Sequence, residues 1–372
     1  MKIRMLYVFL TFAWCFPTRC LLAIEQIIEV PTVYNGALLV NSKAHKLYAG
    51  WGDMAGTPDQ VLWVFDIQPD STISATDERC YPNSQDLPPG TAGGSQKTFS
   101  HWVRSMALSR DGRKLYLGLQ GALRQFSEGQ PLVVYDLDEK GEPKGKPRSY
   151  KIGDFWAGIS HLLLHPRLDL LICIGDSGSE VWAMPLRNGE PTGEPGAYRF
   201  GSRDKDSMLA SDKFDSLIFG ARGSTVEVVD VNPAGEVDTG TVSSLTGPSS
   251  QEFFRLARVD HHLYFVLGKQ LWVWPLDREW HPTVKPQPKP DFSVFSLWEG
   301  SHSFLYLVLG EWAEDKGKPP KLVGTKLARY KPDAKGDPGK PEFVSDVFPG
   351  KMIHSIARDE TSGATYVTLY PL

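Results

Sequence analysis

The sequence predicts an all-β fold assembled from one repeated unit of short strands. In one repeated phrase an apolar strand runs into a Gly/Pro turn, most clearly at Leu132–Pro143 and Val181–Pro191. A second phrase, a turn followed by an apolar strand, occurs seven times, with strands starting at Leu47, Leu115, Leu170, Leu217, Leu263, Leu305 and Thr365. No segment shows the sustained 3.6-residue periodicity of a helix. Strand-only units that recur every 40 to 50 residues or so predict a β-propeller.

Each unit is expected to hold four strands, named a to d in chain order. In the second unit, strand a is Val103–Leu108, and the polar turn Ser109–Gly112 joins it to strand b. Such a turn favours a tight reversal because Asp and Gly accept the required backbone angles. Strand c follows and ends in a Gly-Glu-Pro turn at residues 141–143, and a weaker strand d completes the unit.

The two ends of the chain predict how the ring closes. The chain stops at Leu372, just after the seventh strand b, so that unit lacks its outer strands. The stretch Ile24–Tyr34 is rich in Ile and Val and is expected to supply them, which would hide an exposed sheet edge. We therefore predict a seven-bladed β-propeller over residues 24–372, closed by N- and C-terminal strands that share one blade. A truncated reading frame is the alternative.

The N-terminus has the pattern of an export signal. Lys2 and Arg4 precede the apolar run Met5–Phe16, as in the first two regions of a signal peptide. We predict a signal peptide over residues 1–23 and a secreted or periplasmic protein. An uncleaved membrane anchor is the alternative, although the run is short for a bilayer span. No later segment is long and apolar enough for a span, so no membrane span is expected once the signal is removed.

Charge and cysteine content limit the partners and the redox chemistry. The formal net charge is −4, and no basic stripe is present to neutralise a phosphate backbone. Nucleic acid is therefore not an expected partner, and the chain is expected to be a monomer. Only Cys80 and Cys173 follow the signal. Cys173 lies in an apolar strand and is predicted to be a buried thiol; Cys80 is assigned to a Pro-rich loop, and nothing in the spacing indicates a disulfide.

The long connections predict which face of the propeller binds. In a four-stranded blade the b–c and d–a loops open on one face. The long connections all fall there: Trp51–Gln60, Leu119–Pro131, Glu311–Thr325 and Asp77–Ser100. Because loops on a rigid scaffold commonly carry function, this elaborated face is expected to bind a protein, a glycan or a small anionic molecule. Drift in the length of Gly/Pro-rich loops is the alternative.

Polar residues of strand a, which lines the channel of a propeller, are the candidate site. The predicted catalytic residues are His161, His354, Glu252 and Arg255, and the predicted substrate-binding residues are Arg104 and His101. Imidazoles transfer protons near neutral pH, and guanidinium groups hold carboxylates or phosphates. The alternative is that these groups are only hydrogen-bonded inside a wet channel.

No metal or cofactor is expected. Asp53, Asp176 and Glu311 each follow the glycine that ends a strand b, but they come from separate units and form no calcium-loop consensus. The sequence also lacks the motifs of zinc proteases, haem attachment, nucleophile elbows and phosphate loops.

Other notable side chains are attributed to turns and packing. The His261-His262 pair is assigned to an exposed a–b turn on the face opposite the elaborated one. Large aromatics in strand c are expected to fill the wedge between blades. They are Trp63, Trp182, Trp272 and Trp274.

The phrase Asp111–Gly118, followed by Tyr135–Gly141, resembles the lactonase-type seven-bladed propellers. That family includes 6-phosphogluconolactonases and carboxymuconate-cyclase-like proteins, and related YVTN-repeat propellers share the phrase. The resemblance implies a polar pocket at the channel mouth and a hydrolase or isomerase acting on a sugar-acid lactone. The family's catalytic residues cannot be matched to this chain one by one. The residues alone favour an exported binding propeller, and the lactonase-like enzyme is the alternative.

Overall fold

A computed structural model describes residues 26–30, 36–50, 62–73, 79–81, 102–120, 131–150, 152, 158–175, 180–192, 196–199, 207–210, 216–220, 225–246, 253–267, 269–300, 303–313 and 319–372. The predicted signal peptide over residues 1–23 lies outside these ranges. Within them every helix or strand that occurs is a β-strand, which confirms the all-β prediction. Across the same ranges, no helix has the length and apolar character needed to cross a membrane.

The strands of the described residues form six sheets. They are divided here into units 1 to 7 along the chain, because the eight-stranded sheet within residues 253–349 is split at its longest strand into units 5 and 6. Unit 1 contains β2 (Leu38–Asn41), β3 (Lys46–Gly50), β4 (Leu62–Asp66) and β5 (Arg79–Tyr81). Unit 2 contains β6 (Trp102–Leu108), β7 (Lys114–Gln120), β8 (Leu132–Leu137) and β9 (Pro143–Tyr150). Unit 3 contains β10 (Ile159–Leu164), β11 (Leu170–Gly175) and β12 (Glu180–Arg187), with β13 (Glu190–Pro191) and β14 (Gly196–Arg199) both paired to β12.

Units 4 to 6 follow the same antiparallel order, and unit 7 is formed by strands from both ends of the chain. Unit 4 contains β15 (Ser207–Ala210), β16 (Ser216–Gly220), β17 (Thr225–Val231) and β18 (Val237–Thr246). Unit 5 contains β19 (Phe253–Val259), β20 (His262–Leu267), β21 (Gln270–Pro275) and the start of β22 (Gln287–Gly300). The long β22 continues into unit 6, with β23 (Phe304–Ala313), β24 (Lys321–Tyr330), β25 (Phe343–Val344) and β26 (Phe348–Pro349). Unit 7 contains β27 (Lys351–Arg358), β28 (Thr365–Pro371) and β1 (Ile27–Glu29).

Apolar cores lie between successive units, and strands b whose side chains are described pack against neighbours on both of their faces. The side chains of β3 and β11 are buried along their whole length, which explains why these strands read as continuous apolar runs. One cluster joins Tyr116 of unit 2 to Cys173 and Trp182 of unit 3. The strand-c indoles of Trp63, Trp182 and Trp274 are buried as predicted.

Cys80 and Cys173 both lie in β-strands, in different sheets. Cys173 is fully buried and is a free thiol, as predicted. It therefore forms no bond to Cys80. Cys80 lies in β5, where its backbone pairs with Trp63 of β4, so its assignment to a loop was wrong. Strand d is short here, and its polar and Pro-rich flanks concealed it.

Among the described residues, tyrosine hydroxyls link neighbouring units at four junctions. In each case a tyrosine of strand b donates a hydrogen bond to the carbonyl of a left-handed residue in the c–d turn of a neighbouring unit. The pairs are Tyr48 to Gly141 (2.7 Å), Tyr116 to Gly189 (2.7 Å), Tyr264 to Gly336 (3.0 Å) and Tyr366 to Ser71 (2.9 Å). The last of these runs from unit 7 to unit 1.

Ion pairs accompany two of these links. Lys46 of unit 1 bridges Asp66 of its own sheet and Glu142 of unit 2. At the next junction the Lys114 ammonium lies 2.7 Å from Asp136 and 2.5 Å from Glu190. The same structural positions thus carry the same charges at successive junctions.

The N-terminal segment joins the last sheet. β1 pairs with β28 in parallel, with Ile27 opposite Thr365. In the other units the strand beside b is antiparallel, so this neighbour differs in direction from the rest. Val30 is buried in a cluster that contains Leu47 of unit 1 and Tyr366 of unit 7.

Most of the elaborated face lies outside the described residues, including 51–61, 82–100, 121–130 and 314–318. The prediction of a loop insertion at Glu311–Thr325 is wrong in part. Much of Glu311–Thr325 continues β23 and β24 as a longer hairpin, in which Trp312 pairs with Leu322. The facing apolar pair of Trp312 and Leu322 supports the ladder beyond the ordinary strand length.

Candidate functional site

Five of the described inner strands carry a β-bulge at a corresponding position. The extra residues are Arg104 in β6, Ser160 in β10, Phe254 or Arg255 in β19, Phe295 in β22 and His354 in β27. A bulge bends the strand and redirects side chains, and bulges are frequent next to active sites. Three residues that were predicted as site residues lie at these bulges, namely Arg104, Arg255 and His354.

The bulges lie at the end of strand a that meets the elaborated face. Beside Arg104, for example, Ser105 pairs with Gly118 near the end of strand b, where the b–c connection begins. We define the polar arc as Arg104, Ser160, His161, His354 and Ser355, which surround the bulges of units 2, 3 and 7.

His161 is half-buried and is oriented by the adjacent serine. Its Nδ1 lies 3.2 Å from the Ser160 hydroxyl, and that hydroxyl donates to the Ile174 carbonyl at 3.3 Å. A serine hydroxyl has one proton, so with that proton on Ile174 it accepts from Nδ1–H. In the neutral imidazole the lone pair is then on Nε2, the nitrogen that can act as a base.

His354 repeats this arrangement in unit 7 with the order of the pair exchanged. Its Nδ1 lies 3.2 Å from the Ser355 hydroxyl. The surrounding backbone is fixed, because the Ser355 N–H donates to the Thr368 hydroxyl at 3.1 Å and the Ile353 N–H to the Thr325 hydroxyl at 3.0 Å. His354 is the bulged residue, whereas His161 follows the bulge, so the two positions are offset by one residue.

Neighbouring inner strands connect parts of the arc. The Leu162 N–H donates to the Ser105 hydroxyl at 2.9 Å, and that hydroxyl lies 3.3 Å from the Leu162 carbonyl. Arg104, which is exposed, and His161 precede these two residues and so belong to adjacent strands. Unit 1 lies on the other side of unit 2, and its Ala37 donates an N–H to the Val103 carbonyl at 3.3 Å.

Unit 6 differs from the arc in chemistry. Its bulged residue is Phe295, whose ring stacks on Trp312 with centroids 5.9 Å apart. The Lys269 ammonium lies 4.9 Å from the centre of the Trp312 ring. An aromatic pair capped by a cation thus occupies the position that units 2 and 7 give to Arg104 and His354.

The predicted site residues fall into three groups. Arg104, His161 and His354 lie at or beside the bulges of strand a, and Arg255 lies in the bulge of β19, where only the backbone is described. Glu252 and His101 lie outside the described residues. Ser160 and Ser355 were not predicted as site residues. The signal was present in the tripeptides Ile159-Ser160-His161 and Ile353-His354-Ser355, which hold the same pair in opposite order.

No metal centre is evident in the part of the chain that the structure covers, where no group of three or more His, Cys, Asp or Glu side chains is arranged to hold an ion. Among the acids considered from the sequence, Glu311 pairs with Lys326 at 3.0 Å. Asp53 and Asp176 lie outside the described residues.

Known structures share this architecture. A protein from Bacteroides uniformis described as a candidate 6-phosphogluconolactonase aligns with 88% of this chain and 96% of its own, at 10% identity and a TM-score of 0.56. A Bacteroides fragilis protein of the same description aligns with 90% and 99%, at 10% identity and a TM-score of 0.55. A Lactobacillus plantarum protein aligns with 84% and 85%, at 13% identity and a TM-score of 0.54. No family model and no curated protein matches the sequence. The likeness shows the propeller fold.

Proposed function

We propose that this chain is a seven-bladed, lactonase-like propeller that opens a small anionic sugar-acid lactone at the polar arc. The observation that carries the proposal is the repeated bulge, which brings Arg104, His354 and the Ser160–His161 pair to the same end of the inner strands. Two imidazoles, each held by a serine, and an exposed guanidinium are suited to proton transfer and anion binding.

Closure of the ring is part of this proposal, since His354 must reach units 2 and 3 across unit 1. The hydrogen bond from Tyr366 to Ser71 supports closure. So does the cluster that buries Val30 and Tyr366 with Leu47 of unit 1. Ala37, which directly precedes the inner strand of unit 1, leaves room between the arc residues on either side, because its side chain is a single methyl group.

The proposed chemistry is the addition of water to the lactone carbonyl. Nε2 of an arc histidine takes a proton from the water as its oxygen bonds to the carbonyl carbon. The ring C–O bond then breaks, and the leaving oxygen receives a proton from the imidazolium, which yields the open hydroxy acid. Arg104, together with Arg255, holds the anionic group of the substrate.

The two Bacteroides proteins described as candidate 6-phosphogluconolactonases favour this activity over binding alone. The serine-held imidazoles favour it as well, because a binding surface needs no tautomer fixed by a second side chain. Binding of a protein or glycan at the elaborated face is the competing function.

Hydrolysis of a panel of sugar lactones tests the proposal. Proton release is followed in weak buffer and corrected for the spontaneous opening measured without protein. We expect the wild type to hydrolyse at least one lactone and His161→Ala or His354→Ala to lower kcat/KM by about 100-fold, the size of a lost general base.

The matched control is His45→Asn. His45 is exposed in an a–b turn at the opposite end of the strands and has φ of 51°, which asparagine accepts. Its rate should equal that of the wild type. Equal rates for the control and both alanine variants would remove the arc histidines from the reaction. A wild type inert toward every lactone would favour the binding function.

A further inference from the structure

The junction between units 5 and 6 breaks the repeat at two positions. In strand b, His262 stands where units 1 and 2 have Lys46 and Lys114, since all three pair with the equivalent end of strand c. The strand-c partner is Pro275 in place of an aspartate. The ammonium that bridges two carboxylates at the unit 1–2 and unit 2–3 junctions is therefore missing here, as it is in unit 3, where Leu170 pairs with Pro185.

The second break is in the c–d turn of unit 5. Trp280 has φ of 65°, in the left-handed region that bulky side chains rarely adopt. The corresponding left-handed residues of other units are Ser71, Gly141, Gly189, Gly235 and Gly336. An unfavourable backbone angle held by a tryptophan is the kind of feature that accompanies function.

Both breaks border one pocket of about 660 Å³. Its lining also includes Arg258, Asp260, His261 and Asp333. This volume lies in the range of small-molecule sites. The pocket is formed by the a–b and c–d turns, so it lies at the opposite end of the strands from the polar arc.

The pocket holds its polar groups in fixed positions. The Arg258 guanidinium carbon lies 3.6 Å from the centre of the Trp280 ring, which is 3% exposed. Stacking restrains the planar fork of donors before any ligand arrives. Asp333 accepts from the N–H groups of Lys335 and Asp337 at 2.8 Å each, and Asp260 accepts from the Ser303 hydroxyl at 3.2 Å.

The charges of the lining select the class of ligand. Two carboxylates against one guanidinium disfavour an anion, and the guanidinium disfavours a simple cation. His262 is buried against Gly336, and burial, with the nearby His261, lowers its pKa and so favours the neutral imidazole. Donors and acceptors side by side match hydroxyl groups, each of which both donates and accepts.

We propose that this pocket is a second binding site, separate from the polar arc, that takes a neutral saccharide through vicinal hydroxyl groups. Arg258 donates to the hydroxyl oxygens, and Asp260 and Asp333 accept from the hydroxyl protons. Trp280 holds Arg258 in place from behind.

Ligand-observed NMR titrations with the methyl glycosides of glucose, galactose and mannose test this site, with glycine and acetate as zwitterionic and anionic probes. We expect at least one glycoside to bind the wild type. Arg258→Lys keeps the charge but not the planar stack and should weaken binding about tenfold. Trp280→Gly restores the glycine of the repeat and should weaken binding similarly.

The matched control is Arg329→Lys, since Arg329 lies over the Phe304 ring at 4.8 Å outside the pocket. It should bind like the wild type. The proposal is wrong if no glycoside binds, if glycine or acetate binds more tightly, or if Arg258→Lys and Trp280→Gly bind as the wild type does. Lactone hydrolysis is measured separately on the same samples, so the proposal for the pocket and the proposal for the polar arc can be rejected independently.

Discussion

At the scale of single residues, a few side chains repeat from unit to unit and others depart from the repeat. Tyr48, Tyr116, Tyr264 and Tyr366 each donate to a turn carbonyl of another unit. The sequence shows these tyrosines as apolar strand residues, but their hydroxyl partners lie 72 to 295 residues away along the chain. These hydrogen-bond partners can be identified only once the arrangement of the units in space is known.

Removal of one hydroxyl tests what such a link contributes. In Tyr116→Phe the carbonyl of Gly189 loses its donor, and we expect the free energy of unfolding to fall by about 1 kcal/mol. Urea denaturation measures it. Tyr370→Phe is the control, because Tyr370 is 42% exposed and should change stability little. A loss no larger than that of the control would mean that the link adds nothing to stability.

His262 shows where reasoning from single residues failed. Because His262 directly follows the a–b turn, its side chain was predicted to be exposed, yet it is only 9% exposed. It occupies the space that the stems of Lys46 and Lys114 fill at the unit 1–2 and unit 2–3 junctions, and Gly336 of unit 6 packs directly against its ring. Only an alignment of the units with one another, position by position, would have shown that a lysine had been replaced.

At the scale of elements, the strand order was predictable and the bulges were not. Continuous apolar runs such as Leu170–Gly175 mark central strands, because both of their faces are covered. A bulge adds one residue to one strand of a pair, and its position depends on the register with the partner. Arg104 and His354 were therefore recognised as channel residues, but their shared place at a bulge was not.

The unit 2–3 junction carries a charge network whose strength depends on pH. Hydrogen bonds from Arg148, and then from Lys114, hold the pKa of Asp136 below its ordinary value despite partial burial. A carboxyl with a lower pKa in the folded state stabilises the protein above its unfolded pKa of about 4. That contribution is lost as the pH falls through the folded pKa.

Asp136→Asn should therefore lower the free energy of unfolding at pH 7 by about 1 kcal/mol, the scale of a partly exposed ion pair. The difference from the wild type should shrink below pH 4 or so. Urea is the suitable denaturant, since guanidinium salts screen the pair. Glu139→Gln is the control, because Glu139 is 87% exposed at its ion pair with Arg113. A difference that stays constant from pH 7 to pH 3 would contradict the network.

At the scale of the whole molecule, β1 of the N-terminal segment and β28 near the C-terminus pair in one sheet. Closure of a seven-bladed ring by these strands stays a prediction. The direction of β1 was not predictable, since parallel and antiparallel partners bury the same Ile and Val side chains. The site depends on this meeting. His354 is near the C-terminus and His161 near the middle of the chain, so a shared ligand requires unit 7 to lie beside unit 1.

The central claim is that both imidazoles face one sugar-acid site in a closed ring. The most direct test is a gluconate titration followed by the imidazole carbon–proton NMR signals of the nine histidines, assigned through His161→Gln and His354→Gln. We predict that the His161 and His354 signals shift together with one dissociation constant, and that the His45 signal does not move. If neither arc signal moves, or if the two report different dissociation constants, the claim of one shared site is contradicted.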